Sequence, residues 1–176
     1  MATDLQKQIF QAINSKDYAL VRKVLSENPN ELAARPAGLS WLDRAASSDG
    51  GDLRMVKLLV ALGASVDPMD VIRTPLAYAI PSADVEIIRF LLEQGANPNA
   101  DRCLIGALNR RQNSLEIVRL LIQKGAEVNR VYELEGTGKK FTALDWAKDS
   151  DAIAFLTSVG AVTADQVSPD SNKPEE

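Results

Sequence analysis

Thr74–Ala100 reads TPLAYAIPSADVEIIRFLLEQGANPNA, and its reading decides the fold. Thr74 offers a hydroxyl to an orphan backbone N–H, and Pro75 fills the first helical position, where no N–H is needed, so a helix starts there. Leu76 and Ala79 share one face, and the small Ala79 admits a neighbouring helix at close range; Pro81 and Ser82 end the element after about two turns. A second helix begins near Ala83 to Val85. Its apolar residues Val85, Ile88, Leu91 and Leu92 recur with helical spacing, leaving Glu86, Arg89 and Glu93 toward water. Gly95 suits the left-handed residue that closes a helix, and Asn97-Pro98-Asn99 supplies a turn. A lone helix pair of this size cannot bury its apolar face, so it must stack on copies of itself.

The copies are present. LLVALGA ends at Ala64, FLLEQGA at Ala96, RLLIQKGA at Ala126 and FLTSVGA at Ala161, which places Gly63, Gly95, Gly125 and Gly160 roughly 30 to 35 residues apart, the period of a helical repeat array. One repeat opens at Ser40-Trp41-Leu42-Asp43-Arg44-Ala45-Ala46, with an insertion near Gly51. Another runs from Arg102-Cys103-Leu104, lengthened around Arg110 to Asn113. A shortened last one opens at Thr142-Ala143-Leu144-Asp145-Trp146-Ala147. Ahead of them, Leu5, Ile9, Phe10, Ala12 and Ile13, then Leu20, Val21, Val24 and Leu25, predict a capping helix pair with a polar outer face.

Thr74, Pro75, Leu76, Ala79, Leu91, Leu92, Gly95, Ala96 and Asn99 together resemble the ankyrin repeat, whose pattern is T-P-L-H-x-A-A, a helix, then L-L-x-x-G-A-x-x-N. The resemblance implies an all-α ankyrin-repeat solenoid of about five helix-turn-helix units, at about 4–30, 35–66, 70–100, 101–130 and 137–162. These form one domain over 1–162, with a hairpin-like finger between the last two units. The family's usual histidine, which links adjacent repeats, is replaced by Asp43, Ala77, Ile105 and Asp145, so cohesion is expected to lean more on packing. Residues 163–176, rich in Pro, Ser, Asp and Glu, are expected to be a disordered acidic tail.

Composition excludes several kinds of function. The 176 residues contain no histidine and one cysteine, Cys103, which removes His-based triads, common zinc sites and any internal disulfide. Net charge is -4, much of it in the tail, and no basic stripe or clustered Lys/Arg face suits nucleic acid or a membrane surface. No signal peptide or long uncharged apolar run is visible, so a cytoplasmic location is expected. GTGKK lacks the spacing and the Ser or Thr of a phosphate-binding loop. Cys103 stands at a helix start without a partner base, and Glu133 and Glu135 lie on a loop unsuited to tuning carboxyl groups. No catalytic, cofactor-binding or metal-binding residue is assigned, no cofactor is expected, and the chain is read as a non-enzyme.

Projection of the family's binding surface marks Arg35 to Leu39, Asp70 to Arg73, Asp101 and the segment before Thr142, together with the ends of the first helices. Arg130–Phe141, RVYELEGTGKKF, stands out by length and by its mixture of aromatic, acidic and basic residues, with glycines where a tight reversal needs them. The partner-binding residues expected are Trp41, Arg44, Asp70, Arg73, Arg110, Tyr132, Glu133, Glu135, Lys139 and Lys140. Trp41 reads equally as packing or as an exposed anchor, and Trp146 reads as packing. The resemblance implies a protein-binding module, monomeric when free. It favours an inhibitor or immunity protein that neutralises a toxin or effector enzyme by occupying its surface, since the repeats fill almost all of the sequence. The alternatives are a scaffold or adaptor joining two cytosolic proteins and a module acting within a homo-oligomer.

Overall fold

The first helix starts where its sequence makes it start. Thr3 and Gln6 form a reciprocal capping box, the Gln6 N–H donating to Thr3 Oγ1 and the Thr3 N–H to Gln6 Oε1, both at 3.2 Å. The computed structural model describes residues 2–47, 51–69 and 73–167, among which α-helices account for nearly all regular structure. By contacts the chain divides into two bodies, Met1–Asp101 and Arg102–Glu176.

The first body holds three helix pairs: α1 (Asp4–Asn14) with α2 (Tyr18–Glu27), α3 (Trp41–Ser47) with α4 (Leu53–Ala61), and α5 (Pro75–Ala79) with α6 (Val85–Glu93). First helices pack on first helices, α1 on α3 and α3 on α5, and second helices on second, α2 on α4 and α4 on α6. Each pair thereby buries what it cannot bury alone. Ile9, Val21, Leu42, Met55, Leu59, Leu76, Ile88 and Leu91 are sealed from water, each contributing about 1.5–3 kcal/mol. Asp17, Asp52 and Thr74 accept from the N–H groups of Leu20, Met55 and Ala77, each cap being worth about 1 kcal/mol. Two short 3-10 turns, Pro29–Ala33 and Pro36–Gly38, connect the first pair to the second.

The second body repeats the plan with α7 (Cys103–Leu108) and α8 (Ser114–Gln123), then α9 (Ala143–Trp146) and α10 (Ser150–Ser158). Here α7 packs on α9 and α8 on α10. Between the pairs stands the expected hairpin. Strand β1 (Tyr132–Glu133) pairs antiparallel with β2 (Lys140–Phe141), Tyr132 opposite Phe141 and Glu133 opposite Lys140.

The recurring Gly-Ala phrase has one structural cause. At Gly63, Gly95, Gly125 and Gly160 φ lies between 83° and 103°, and each following alanine N–H reaches back five residues, to Leu59, Leu91, Leu121 and Leu156 O, at 2.9–3.0 Å. That is the Schellman closure: glycine takes the left-handed position, and alanine tucks under the helix. Ala96, Ala126 and Ala161 are accordingly buried.

Two expectations need correction. Cohesion does not rest on packing alone: Ala77 and Ile105, two of the four residues that replace histidine, are buried apolar side chains, but hydrogen bonds also cross between repeats. Asp145 Oδ2 accepts from the Thr142 N–H at 2.8 Å and also from the Ala164 N–H at 2.8 Å, reaching beyond its own repeat. Thr74 donates its N–H to Asp101 at 3.1 Å. Asn129 bridges to the next turn through Gly160 O and the Val162 N–H. The tail boundary also moves: Ala164–Val167 forms helix α11, because Gln166 accepts from the Thr163 N–H and Ala164 is buried against the Asp145 cap. Residues 168–176 lie outside those described.

Candidate functional site

The finger is built from both ends inward. Tyr132 and Phe141 face each other across the two-residue ladder with ring centroids 5.7 Å apart, and Phe141 in turn meets Trp146 of α9 at 4.9 Å. Phe141 is buried and the other two rings are half-buried, so one aromatic stack joins the base of the hairpin to the first helix of the last repeat. Arg102 donates to Glu133 O at 3.1 Å and fixes β1 from the other side. At the tip the Leu134 N–H donates to Lys139 O and the Thr137 N–H to Leu134 O, while Gly136 and Gly138 take φ of 76° and 65°. Those two positions are where the reversal demands glycine.

Charge is distributed along the finger's outer edge. Glu133, Glu135, Lys139 and Lys140 are all exposed. Burial holds the Tyr132 phenol above its ordinary pKa, outweighing the nearby Arg130 charge, so it is a neutral donor at the edge of an apolar stack. Lys139 and Lys140 also line a cleft of about 550 Å³, together with Lys148 and Trp146.

Asp145 anchors the seam beneath. Partial burial pushes its carboxyl up, but hydrogen bonds from the Thr142 N–H, the Ala164 N–H and the Thr142 hydroxyl, with the Lys139 charge, outweigh that and hold it below the ordinary 3.8. Thr142 is fully buried, and its hydroxyl lies 2.7 Å from Val162 O.

The remaining expected residues do not join this cluster. Trp41 is no exposed anchor: it is 1% exposed, and its Nε1–H donates to Glu31 O at 2.8 Å, because the helix start at which it stands is covered by the preceding 3-10 turn. Arg44 donates to Pro36 O at 2.6 Å and lies over the Phe10 ring at 5.1 Å, and it forms no ion pair among the described residues. With Phe10 and the Pro36–Ala37 turn it lines a separate groove of about 610 Å³ in the first body. Arg73 is exposed, donates to Ala77 O and covers the Tyr78 ring at 4.9 Å. Arg110 is half-buried and donates to Gln112 O. Asp70 lies outside the described residues.

Sequence reasoning passed over Lys148, Leu134 and the role of Trp146. Trp146 donates Nε1–H to the Asn109 side chain at 3.0 Å and stays half-buried at the cleft. The one signal in the sequence was the length of the finger itself. Among the described residues no helix is long and apolar enough to cross a membrane, and no group of three or more acidic or cysteine side chains is placed to hold a metal ion.

Comparison with known proteins agrees with the repeat geometry. Residues 9–102 match the family model for ankyrin repeats (3 copies). The chain is 38% identical over 87 residues to the mouse protein "Ankyrin repeat, SAM and basic leucine zipper domain-containing protein 1", covering 45% of the chain and 18% of that relative. The protein of the same description from Dasypus novemcinctus is 37% identical over 119 residues, 63% of the chain and 25% of the relative. Mouse "Ankyrin repeat and SOCS box protein 14" is 31% identical over 126 residues, 65% of the chain and 21% of the relative. The chain thus spans a quarter or less of the length of these relatives.

Proposed function

The chain belongs to the ankyrin-repeat family, whose repeats generally mediate protein–protein interaction, and from that premise we propose that it docks on another protein through the hairpin finger and inhibits it by occupying its surface. The observation that carries this reading is the finger's construction. Its base is fixed by the Tyr132–Phe141–Trp146 stack and by Arg102, while Glu133, Glu135, Lys139 and Lys140 project unburied. A preorganised loop loses little conformational freedom on binding, which is what a recognition element needs. A toxin or effector enzyme is the partner this reading favours, met in the cytoplasm by a free monomer. A nucleic acid or a membrane is not the expected surface, and no catalytic step is assigned.

A second reading is supported by the relatives' printed descriptions, which join ankyrin repeats to SAM and basic leucine zipper domains or to a SOCS box. Under it the repeats serve as one docking arm of an adaptor. Affinity capture from the source cells, with mass spectrometry, separates the two when repeated with Tyr132→Ala/Glu135→Ala. The inhibitor reading expects one dominant partner, lost in the variant, whose activity falls when the purified wild-type chain is added. Two partners held at once favour the adaptor, and a partner retained by the variant rejects the finger as the contact.

A further inference from the structure

The cleft beside the finger has a chemistry of its own. Lys139 and Lys140 come from the return strand side of the hairpin and Lys148 from the turn between α9 and α10, so three ammonium groups separated in sequence line one cleft of about 550 Å³. All three are exposed, and none is among the ion pairs formed between described residues. The two carboxylates that share the lining are engaged: Asp145 Oδ2 takes hydrogen bonds from Thr142 and Ala164, and Asp165 has a contact of its own. The remaining wall is apolar. Leu134 is 40% exposed there, beside Phe141 and the half-buried Trp146 ring. Three lysines that stand outside the ion pairs of the described residues, of which Lys139 alone also acts on the Asp145 carboxyl, surround an apolar floor and are complementary to carboxylates flanking one apolar side chain.

We infer that this cleft is the subsite for an acidic segment of the partner protein, its carboxylates on Lys139, Lys140 and Lys148 and one aromatic or aliphatic side chain against Leu134 and Trp146. The inference rests on the reading of the finger as the docking element and adds to it the partner's chemistry and a further residue, Lys148. Lysine fits such a cleft because its flexible stem lies along apolar surface while the charge reaches forward, so one lining adapts to carboxylates at slightly different spacings. A second copy of this chain is the competing occupant.

The test uses the full chain and a short fluorescein-labelled peptide of Asp and Glu around one central Phe, followed by anisotropy. Saturable binding is expected, with a Kd between about 1 µM and 1 mM at low salt, weakening as salt rises. Lys139→Gln/Lys140→Gln/Lys148→Gln should weaken it about tenfold or more, while the three Lys→Arg changes retain it. A peptide with Ser in place of Phe should bind several-fold more weakly. In a Trp41→Phe background, where Trp146 is the remaining tryptophan, its emission should move with the same Kd.

Circular dichroism melts establish that each variant is folded. No saturable binding below about 1 mM, equal binding by the folded triple Gln variant, or a peptide that acts only by dissociating a dimer of this chain would overturn the inference. If a captured partner is lost with Tyr132→Ala/Glu135→Ala but bound undiminished by the triple Gln variant, the finger reading stands and the subsite fails. If the peptide binds as described but capture is unaffected by the finger variant, the subsite stands and the docking reading fails.

Discussion

Trp41 and Trp146 both stand in the first helices of their repeats, yet they live in opposite surroundings. Trp41 is 1% exposed and ties its indole N–H to a main-chain carbonyl, Glu31 O. Trp146 is half-buried, ties its N–H to the Asn109 side chain, and offers its ring to Phe141 and to the lysine-lined cleft. A ring with a backbone partner and no water contact belongs to the scaffold. A ring with a side-chain partner beside an open cleft can answer to a ligand. The difference teaches that two tryptophans at different positions of their first helices owe their unequal burial to the neighbouring turn, and only the second has a finger laid against it.

Mutations can break that contrast. Trp41→Ala should cost about 3–5 kcal/mol, read as a lowered urea midpoint, since it empties a sealed site and removes one of the two donors to Glu31 O, leaving the Ala34 N–H. Trp146→Ala should cost about half as much or less, because less of its surface is removed from water. Equal losses would erase the distinction between the two sites.

Next in size are the carboxylates that stand where histidine is missing. Asp145→Ala removes the acceptor of the Thr142 and Ala164 N–H groups, and about 1–3 kcal/mol should be lost, with the signals of α11 shifting most by NMR. The same carboxylate sets an acid limit. Its folded pKa lies below the ordinary 3.8, so its contribution is complete well above that value and is lost as pH falls through the lower folded value. Asp52 behaves likewise: partial burial raises its pKa, but hydrogen bonds from the Met55 N–H and the Tyr18 hydroxyl, with the Lys16 charge, bring it below 3.8. Melts in acid should therefore show stability falling below about pH 4, less steeply in Asp145→Asn.

Gly95→Ala should cost about 1–2 kcal/mol through its left-handed backbone alone, since no atom lies within 4 Å of the added methyl. An unchanged melting temperature would contradict the Schellman closure. The smallest effect belongs to the cleft: Lys139→Gln, Lys140→Gln and Lys148→Gln should each change stability by no more than about 0.5 kcal/mol, because none holds an ion pair among the described residues. A larger loss would make the lysines part of the scaffold.

The repeat plan was legible because its signals are local. Thr74-Pro75 starts a helix, Gly95-Ala96 ends one, and glycines at 136 and 138 turn a hairpin, each through its own backbone preference. Helix α11 also had a local signal, since Thr163 and Gln166 have the spacing of a capping box, but its polar composition pointed to disorder. What sequence could not rank was burial. Trp41 occupies the place of a family proline and reads equally as packing or as an exposed anchor, because nothing in the order of residues reveals that the turn at Pro29–Ala33 folds over it. Lys148 was invisible for a similar reason: it joins Lys139 and Lys140 only through the packing of the hairpin on α9.

The central claim, that recognition falls beside the finger and cohesion around Trp41, is tested most directly by two single-tryptophan proteins titrated with a captured, purified partner. Trp41→Phe leaves Trp146 as reporter, and Trp146→Phe leaves Trp41. The account predicts that Trp146 emission shifts or quenches in proportion to complex formation while Trp41 emission stays constant. A response from Trp41 with Trp146 silent would contradict it.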